Sequence, residues 1–186
     1  MKGDRFYMVY VFLAEGFEEM EAIAPIDLLR RAGARVVTVA VGDRLVNGAH
    51  GIPVQADITA DQIVYEDIEA VILPGGMPGT LNLEASDAVQ KMLDYAWEND
   101  LVIGAICAAP SVLGHKGFLE GKCAICYPGF EKELRGATIA AEPVAVDGRI
   151  VTAKGAGVGT EFGLALVEML VGAETAQALR EGIQCK

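Results

Sequence analysis

The sequence predicts an α/β fold, with a mostly parallel central sheet and helices on both faces. Three observations predict it. Several short runs are apolar throughout, as expected of strands buried on both faces. Amphipathic helical patterns alternate with those runs. The chain has 186 residues, 52% hydrophobic and 22% charged, the size and composition of one globular domain, so a single domain over 1–186 is expected.

Taken in order, Phe6 to Leu13 reads as a buried strand. A helix from about Glu18 to Ala32 follows and closes at Gly33. Val36 to Val41 is a second strand, and Ile52 to Ile58 reads as extended and partly exposed. Ala70 to Leu73 is a short buried strand that ends in Pro74-Gly75-Gly76. Ser86 caps a helix over Asp87 to Glu98, whose Val89, Met92, Leu93 and Ala96 share one face. Leu101 to Ile106 is a strand, followed by a short helical stretch from Val112 to Gly114. Asp147-Gly148 between Val144 to Val146 and Ile150 to Ala153 signals a hairpin. Thr160 is a candidate cap for a helix to Val171, with Phe162, Ala165, Leu166 and Met169 inward, and a last helix spans about Glu174 to Glu181.

The net charge of −11 argues against nucleic acid and anionic membranes as partners. No apolar run approaches the roughly 20 residues needed to span a bilayer. No targeting signature is read at the start of the chain, and four cysteines are too few for a disulfide framework. A cytoplasmic protein with reduced thiols is expected.

In a sheet of this kind ligands bind beyond the carboxyl ends of the strands. Three loops fall there. One carries Glu18, Glu19 and Glu21, one carries Gly75-Gly76, and one begins at Cys107. Cys107 ends a fully apolar strand, and Ala108, Ala109 and Pro110 follow at once. A strand that turns sharply through small residues into a helix has the logic of a nucleophile elbow. A helix N-terminus favours the thiolate, which predicts a pKa between about 4 and 7 for Cys107. Spacing alone leaves open that Cys107 is one more small buried residue. Glu18 and Glu19 suit the start of a helix through its dipole. Glu21 lies nearly a turn further in, and beside a thiolate in an apolar cleft its carboxyl is pushed toward the protonated, proton-shuttling form. Gly75 and Gly76 let backbone amides approach a ligand closely.

Other motifs carry less. Gly155-Ala156-Gly157-Val158-Gly159 superficially resembles a phosphate loop, but it lacks the Walker lysine and the full dinucleotide spacing. Cys123 and Cys126 read as strand residues facing opposite ways, and no second cysteine pair completes a zinc site, so no metal is expected. Cys185 lies on the C-terminal tail. His115 follows Cys107 by eight residues, about 12 Å along a helix, too far to serve as its base. His50 lies in a loop that the sequence does not position.

Four segments together resemble the ThiJ/PfpI superfamily, in particular the branch containing the parkinsonism-associated deglycase and its bacterial relatives. They are Glu15-Gly16-Phe17-Glu18-Glu19-Met20-Glu21, Leu73-Pro74-Gly75-Gly76, Ala105-Ile106-Cys107-Ala108-Ala109-Pro110, and Gly159-Thr160-Glu161-Phe162-Gly163-Leu164-Ala165-Leu166. The resemblance implies a flavodoxin-like three-layer sandwich, class I glutamine amidotransferase-like, and a homodimer. It implies that Cys107 is the reactive, easily oxidised cysteine, Glu21 its carboxyl partner, and the amides of Gly76 and Ala108 the oxyanion hole. Gly75, Tyr127 and His50 would line the substrate pocket. Tyr127 stands where some close relatives have His, and His50 aligns with an Arg that some members offer from the dimer partner. The protease-like branch has His directly after the cysteine, where this chain has Ala108.

The expected activity is cysteine-dependent and needs no cofactor. It converts α-oxoaldehydes such as methylglyoxal to 2-hydroxy acids such as lactate, or removes early glycation adducts. The partner is then a small aldehyde or glycated substrate. An oxidative-stress sensor or redox-regulated chaperone using the same cysteine is the alternative, and an amidotransferase-like hydrolase is a third.

Overall fold

The computed structural model describes residues 8–185. Phe6 and Tyr7, the expected start of the first strand, lie outside the described residues. Strands β1 (Met8–Ala14), β2 (Arg35–Val41), β3 (Leu45–Asn47), β4 (Pro53–Gln55), β5 (Ile58–Thr59), β6 (Ile68–Leu73), β7 (Val102–Ile106), β8 (Cys123–Ala124), β9 (Thr138–Ile139), β10 (Val144–Asp147) and β11 (Ile150–Ala153) alternate with helices. The helices are α1 (Glu19–Arg31), α2 (Gly79–Ala85), α3 (Asp87–Glu98), α4 (Pro110–His115), α5 (Gly159–Leu170) and α6 (Ala173–Gly182).

Seven strands form one sheet in the order β10-β11-β7-β6-β1-β2-β5. All its pairs are parallel except the β10–β11 hairpin. Strand β1 is central and buried throughout. Its residues alternate between two cores, because side chains on a strand alternate faces. Val9, Val11 and Leu13 pack with α1, α5 and α6, while Met8, Tyr10 and Phe12 pack with α2, α3 and α4. The result is the three-layer flavodoxin-like sandwich the sequence predicts.

Most boundaries fall within a residue or two of expectation. Gly33 ends α1 at φ +85°, a left-handed conformation that glycine adopts without a steric cost. Ser86 caps α3 by accepting from the Val89 amide, and the four predicted inward residues are all buried. Four readings need correction. The 52–58 stretch is not one strand: β4 pairs with β3 outside the main sheet, and β5 joins β2 at the sheet edge. α2 was not anticipated, because seven residues give too short a period to read. The helix after Cys107 opens at Pro110, which suits a first turn because its missing N–H costs nothing there, and so reaches two residues further back than Val112 to Gly114. Thr160 is not a cap: α5 starts one residue earlier, with Val158 at the cap position. The inward face of α5 is also wider than predicted. Gly163, Leu164, Val167 and Leu170 are buried, while Ala165 and Met169 are only partly so. Gly163 explains this, since a Cβ there would stand 2.6 Å from Leu28 Cδ1 and 3.0 Å from Pro25 Cα of α1.

Candidate active site

The carboxyl ends of β1, β6, β7 and β11 bring the three predicted loops together. Cys107 follows β7 with φ +65°, a strained conformation for a residue with a Cβ and the mark of an elbow. Its amide donates to the Ala153 carbonyl at 2.9 Å, and its carbonyl accepts from the Tyr127 amide at 2.7 Å. Both sides of the turn are therefore fixed. The amides of Gly76 and Ala108 face the sulfur and act to lower its pKa, as expected of donors for developing negative charge.

Glu21 reaches the elbow from the first turn of α1 and is 1% exposed. Its Oε2 accepts from the Gly75 amide at 2.9 Å. It also meets the Ala156 amide and the Cys107 thiol. Gly75 must lack a side chain, because a Cβ would lie 2.6 Å from Glu21 Oε2 and 2.7 Å from Cys107 Cβ. Gly76, at φ +90°, passes so close to the Gly16–Glu18 backbone that a Cβ would stand 2.4 Å from the Glu18 amide nitrogen.

Burial, with help from the Glu18 charge, raises the Glu21 pKa to about 7 against the bonds that lower it. Burial and then the Glu21 carboxylate push the Cys107 thiol up to about 12, and the Gly76 and Ala108 amides only partly oppose this. This direction is opposite to the expectation of a depressed thiol pKa, while the raised Glu21 carboxyl is as expected. The turn and the helix start favour a thiolate, and the buried Glu21 carboxyl that faces the sulfur opposes it when charged. The helix start is also weak, since α4 has only six residues. The two groups are coupled, and they titrate as a pair.

The other predicted residues are placed as follows. Tyr127 is half exposed, and its ring lies 3.4 Å from where a Gly155 Cβ would be. His50 joins Glu18 and Glu19 in one group. Its Nδ1 pairs with Glu19 Oε2 at 2.8 Å, and its amide donates to Glu19 Oε1 at 2.8 Å. Glu19 is thus more than a dipole partner. Burial alone would raise its carboxyl, but the bonds from His50 and Ile52 outweigh this and hold it below the usual range. Glu18 caps α1 by accepting from the Glu21 amide at 2.7 Å. Glu18, Glu19 and His50 place ligand-type atoms within 4.8 Å of one another, and the group closes on itself as a hydrogen-bonded ion pair. Cys123 is exposed and Cys126 buried, and all four cysteines are free. His115 is clamped between Glu84 at 2.5 Å and Glu133 at 2.9 Å, away from the sulfur. Sequence reasoning missed Ala156, which a short turn carries onto Glu21, and no periodicity signals it.

A cysteine on a strained elbow, a buried carboxyl against it, and two amides aimed at the sulfur define a cysteine-centred α/β protein of the flavodoxin-like class. Comparison with known proteins gives the family: the chain belongs to the DJ-1/PfpI family, whose sequence profile matches residues 7–169. It is 39% identical over 171 residues to protein DJ-1 homolog B of Arabidopsis thaliana, covering 90% of this chain. The chain spans only 39% of the length of that plant relative. The glutathione-independent glyoxalase DJR-1.2 of Caenorhabditis elegans is 30% identical over 89% of each chain. Among solved structures, oxidised Toxoplasma gondii DJ-1 superposes with a TM-score of 0.92 at 36% identity, covering 96% of this chain and 98% of that one. No helix among the described residues is long and apolar enough to cross a membrane.

Proposed function

We propose that the protein is a cofactor-independent enzyme acting on α-oxoaldehydes, with Cys107 as nucleophile and Glu21 as general acid and base. The observation that carries this reading is the buried Glu21 carboxyl against the Cys107 thiol, with a pKa near neutrality. Glu21 takes the thiol proton, and the sulfur adds to the aldehyde carbon to form a hemithioacetal. The Gly76 and Ala108 amides stabilise the oxyanion. Glu21 passes the thiol proton to that oxygen, which frees its carboxylate; it then takes the proton from the carbon and returns it to the neighbouring carbonyl carbon as the hydroxyl proton moves to that carbon's oxygen, which converts the hemithioacetal to a 2-hydroxy thioester. Water cleaves the thioester, releasing the 2-hydroxy acid and the thiol. Methylglyoxal plus one water gives lactic acid, and no outside oxidant or reductant is needed. Deglycation of early adducts would use the same thiol. The relative named as a glutathione-independent glyoxalase supports this class.

The same reading includes a homodimer in the cytoplasm. Met20 and Ile23 of α1, with Ile52, present exposed apolar side chains around a shallow cavity of about 470 Å³. His50 stands two residues from Ile52 with its side chain 69% exposed, and it serves as a switchable cation toward the partner's pocket.

The test is production of lactate from methylglyoxal without glutathione. Wild type is expected to turn over, and Cys107→Ala is expected to lose activity. Full activity in Cys107→Ala would sink the proposal. A sensor role is the second reading, favoured by the relative solved in an oxidised form and by the two amides that could hold a sulfinate. Selective oxidation of Cys107 by mild peroxide, seen by mass spectrometry in a protein that does not turn over methylglyoxal, would establish it instead.

A further inference from the structure

We propose that Lys154 selects substrates that carry a carboxylate or phosphate beyond the reacting carbonyl. This rests on the reading of Cys107 as nucleophile and specifies the substrate class. Strand β11 lies beside β7 with Ala153 opposite Ile106, and the Cys107 amide bonds to the Ala153 carbonyl. Lys154 and Cys107 are the residues that follow the two strands, so their backbones leave the sheet side by side. Lys154 and the Tyr127 ring line one cavity of about 370 Å³. Pro128 and residues 155–158 form the rest of its wall. That wall ends at Glu21, whose Oε1 lies 3.9 Å from where a Gly155 Cβ would be. The cavity has room for about a dozen water volumes, several times what a three-carbon aldehyde fills.

Charge decides what fills the remainder. Around the elbow stand the carboxyls of Glu18 and Glu21, and Glu131 lies near Cys126. Glu18 is occupied as a cap, and Glu131 accepts from the Gly129 amide. Lys154 is exposed, and among the described residues it makes no ion pair and no side-chain hydrogen bond. In a chain of net charge −11 it is an exposed cation on the wall of the Tyr127 cavity, without a carboxylate partner among the described residues. Its flexible four-carbon stem lets the ammonium follow an anionic group within the cavity. The glycine-rich run at 155–159, which resembles a phosphate loop, keeps the adjoining wall free of bulky side chains.

The test uses two alkylating agents that differ in charge. Each is attacked by the Cys107 sulfur at its CH₂ group, with loss of iodide and of the thiol proton. Iodoacetate is anionic and iodoacetamide neutral, and peptide mass spectrometry reads the rate at Cys107, with exposed Cys123 of the same molecules as internal reference. The acetate-to-acetamide rate ratio at Cys107 is expected to exceed that at Cys123. It should fall about fivefold in Lys154→Gln, the scale of one charge pair at about 4 Å in water, and return in Lys154→Arg. A ratio unchanged by Lys154→Gln would overturn the proposal. Inorganic phosphate and acetate are then compared as protectants of wild type against iodoacetate. The more effective one identifies phosphate or carboxylate as the group recognised, and protection by neither overturns the subsite. Alkylation does not require turnover, so charge selectivity without methylglyoxal conversion would keep the subsite and remove the glyoxalase reading.

Discussion

At the scale of single residues, the chemistry lies in the coupling of one thiol to one carboxyl. The Cys107 thiol is pushed up to about 12 and Glu21 to about 7, both first by burial. A resting thiolate is therefore not expected, and absorbance of wild type against Cys107→Ser should show no thiolate transition between pH 4 and 7. Activity should instead rise with pH through about 7, as the Glu21 carboxylate becomes free to take the thiol proton. Glu21→Gln removes that limb, with a loss of about 10²- to 10⁴-fold in kcat/KM. Stability has the opposite sign. A carboxyl whose folded pKa is raised stabilises the fold below its unfolded value, near 4.5, and that contribution is lost as pH rises through about 7. Glu21→Gln should thus be more stable than wild type at pH 8, by at most about 3 kcal/mol, with no gain at pH 4. Denaturant midpoints at the two pH values check this, and an equal difference at both would count against it.

Among the elements, His115 ties three pieces of chain together. It sits at the end of α4 and bonds Glu84 of α2 and Glu133 of the following turn. The bonds to Glu133 and then Glu84 raise its pKa. A histidine raised in this way stabilises the fold below its unfolded pKa, and the contribution fades as pH rises through the folded value. His115→Ala should therefore lower the unfolding midpoint more at pH 5.5 than at pH 8.5. Equal losses would show that the clamp acts by packing alone. The clamp matters to the site because the 116–134 segment also supplies the Tyr127 amide that holds the Cys107 carbonyl. The packing of α1 on α5 has the same kind of consequence. Gly163 admits Pro25 and Leu28 at close range, and so fixes the helix that carries Glu21.

On the scale of the whole molecule, the proposed dimer joins the exposed face of Met20, Ile23 and Ile52 to its copy. Sedimentation velocity should give a dimer for wild type and a monomer for Ile23→Glu. Glu19 raises the His50 pKa through its hydrogen bond and its charge. If protonated His50 serves the partner's pocket, activity falls at alkaline pH as His50 loses its proton. That fall should vanish in both His50→Ala and Ile23→Glu. A wild-type monomer, or a His50→Ala profile superimposable on wild type, would remove the shared site.

The sequence by itself determined the layers and the elbow, and the reason is local. Apolar runs such as Leu101 to Ile106 have one stable home, between two helical layers, and small residues after Cys107 permit only a tight turn. Gly33, Ser86 and Asp147-Gly148 act on their own neighbours, so their readings agree with the structure. Tertiary structure alone decided what surrounds the sulfur. The Glu21 carboxyl comes from 86 residues earlier in the chain, and the Ala156 amide and Lys154 from beyond β7. Their effect depends on burial and distance, which no spacing records. For that reason the sequence places Cys107 on its turn but does not weigh the two influences on its proton. The local turn argues for a thiolate, whereas the buried carboxylate that folding brings against it argues more strongly for a thiol.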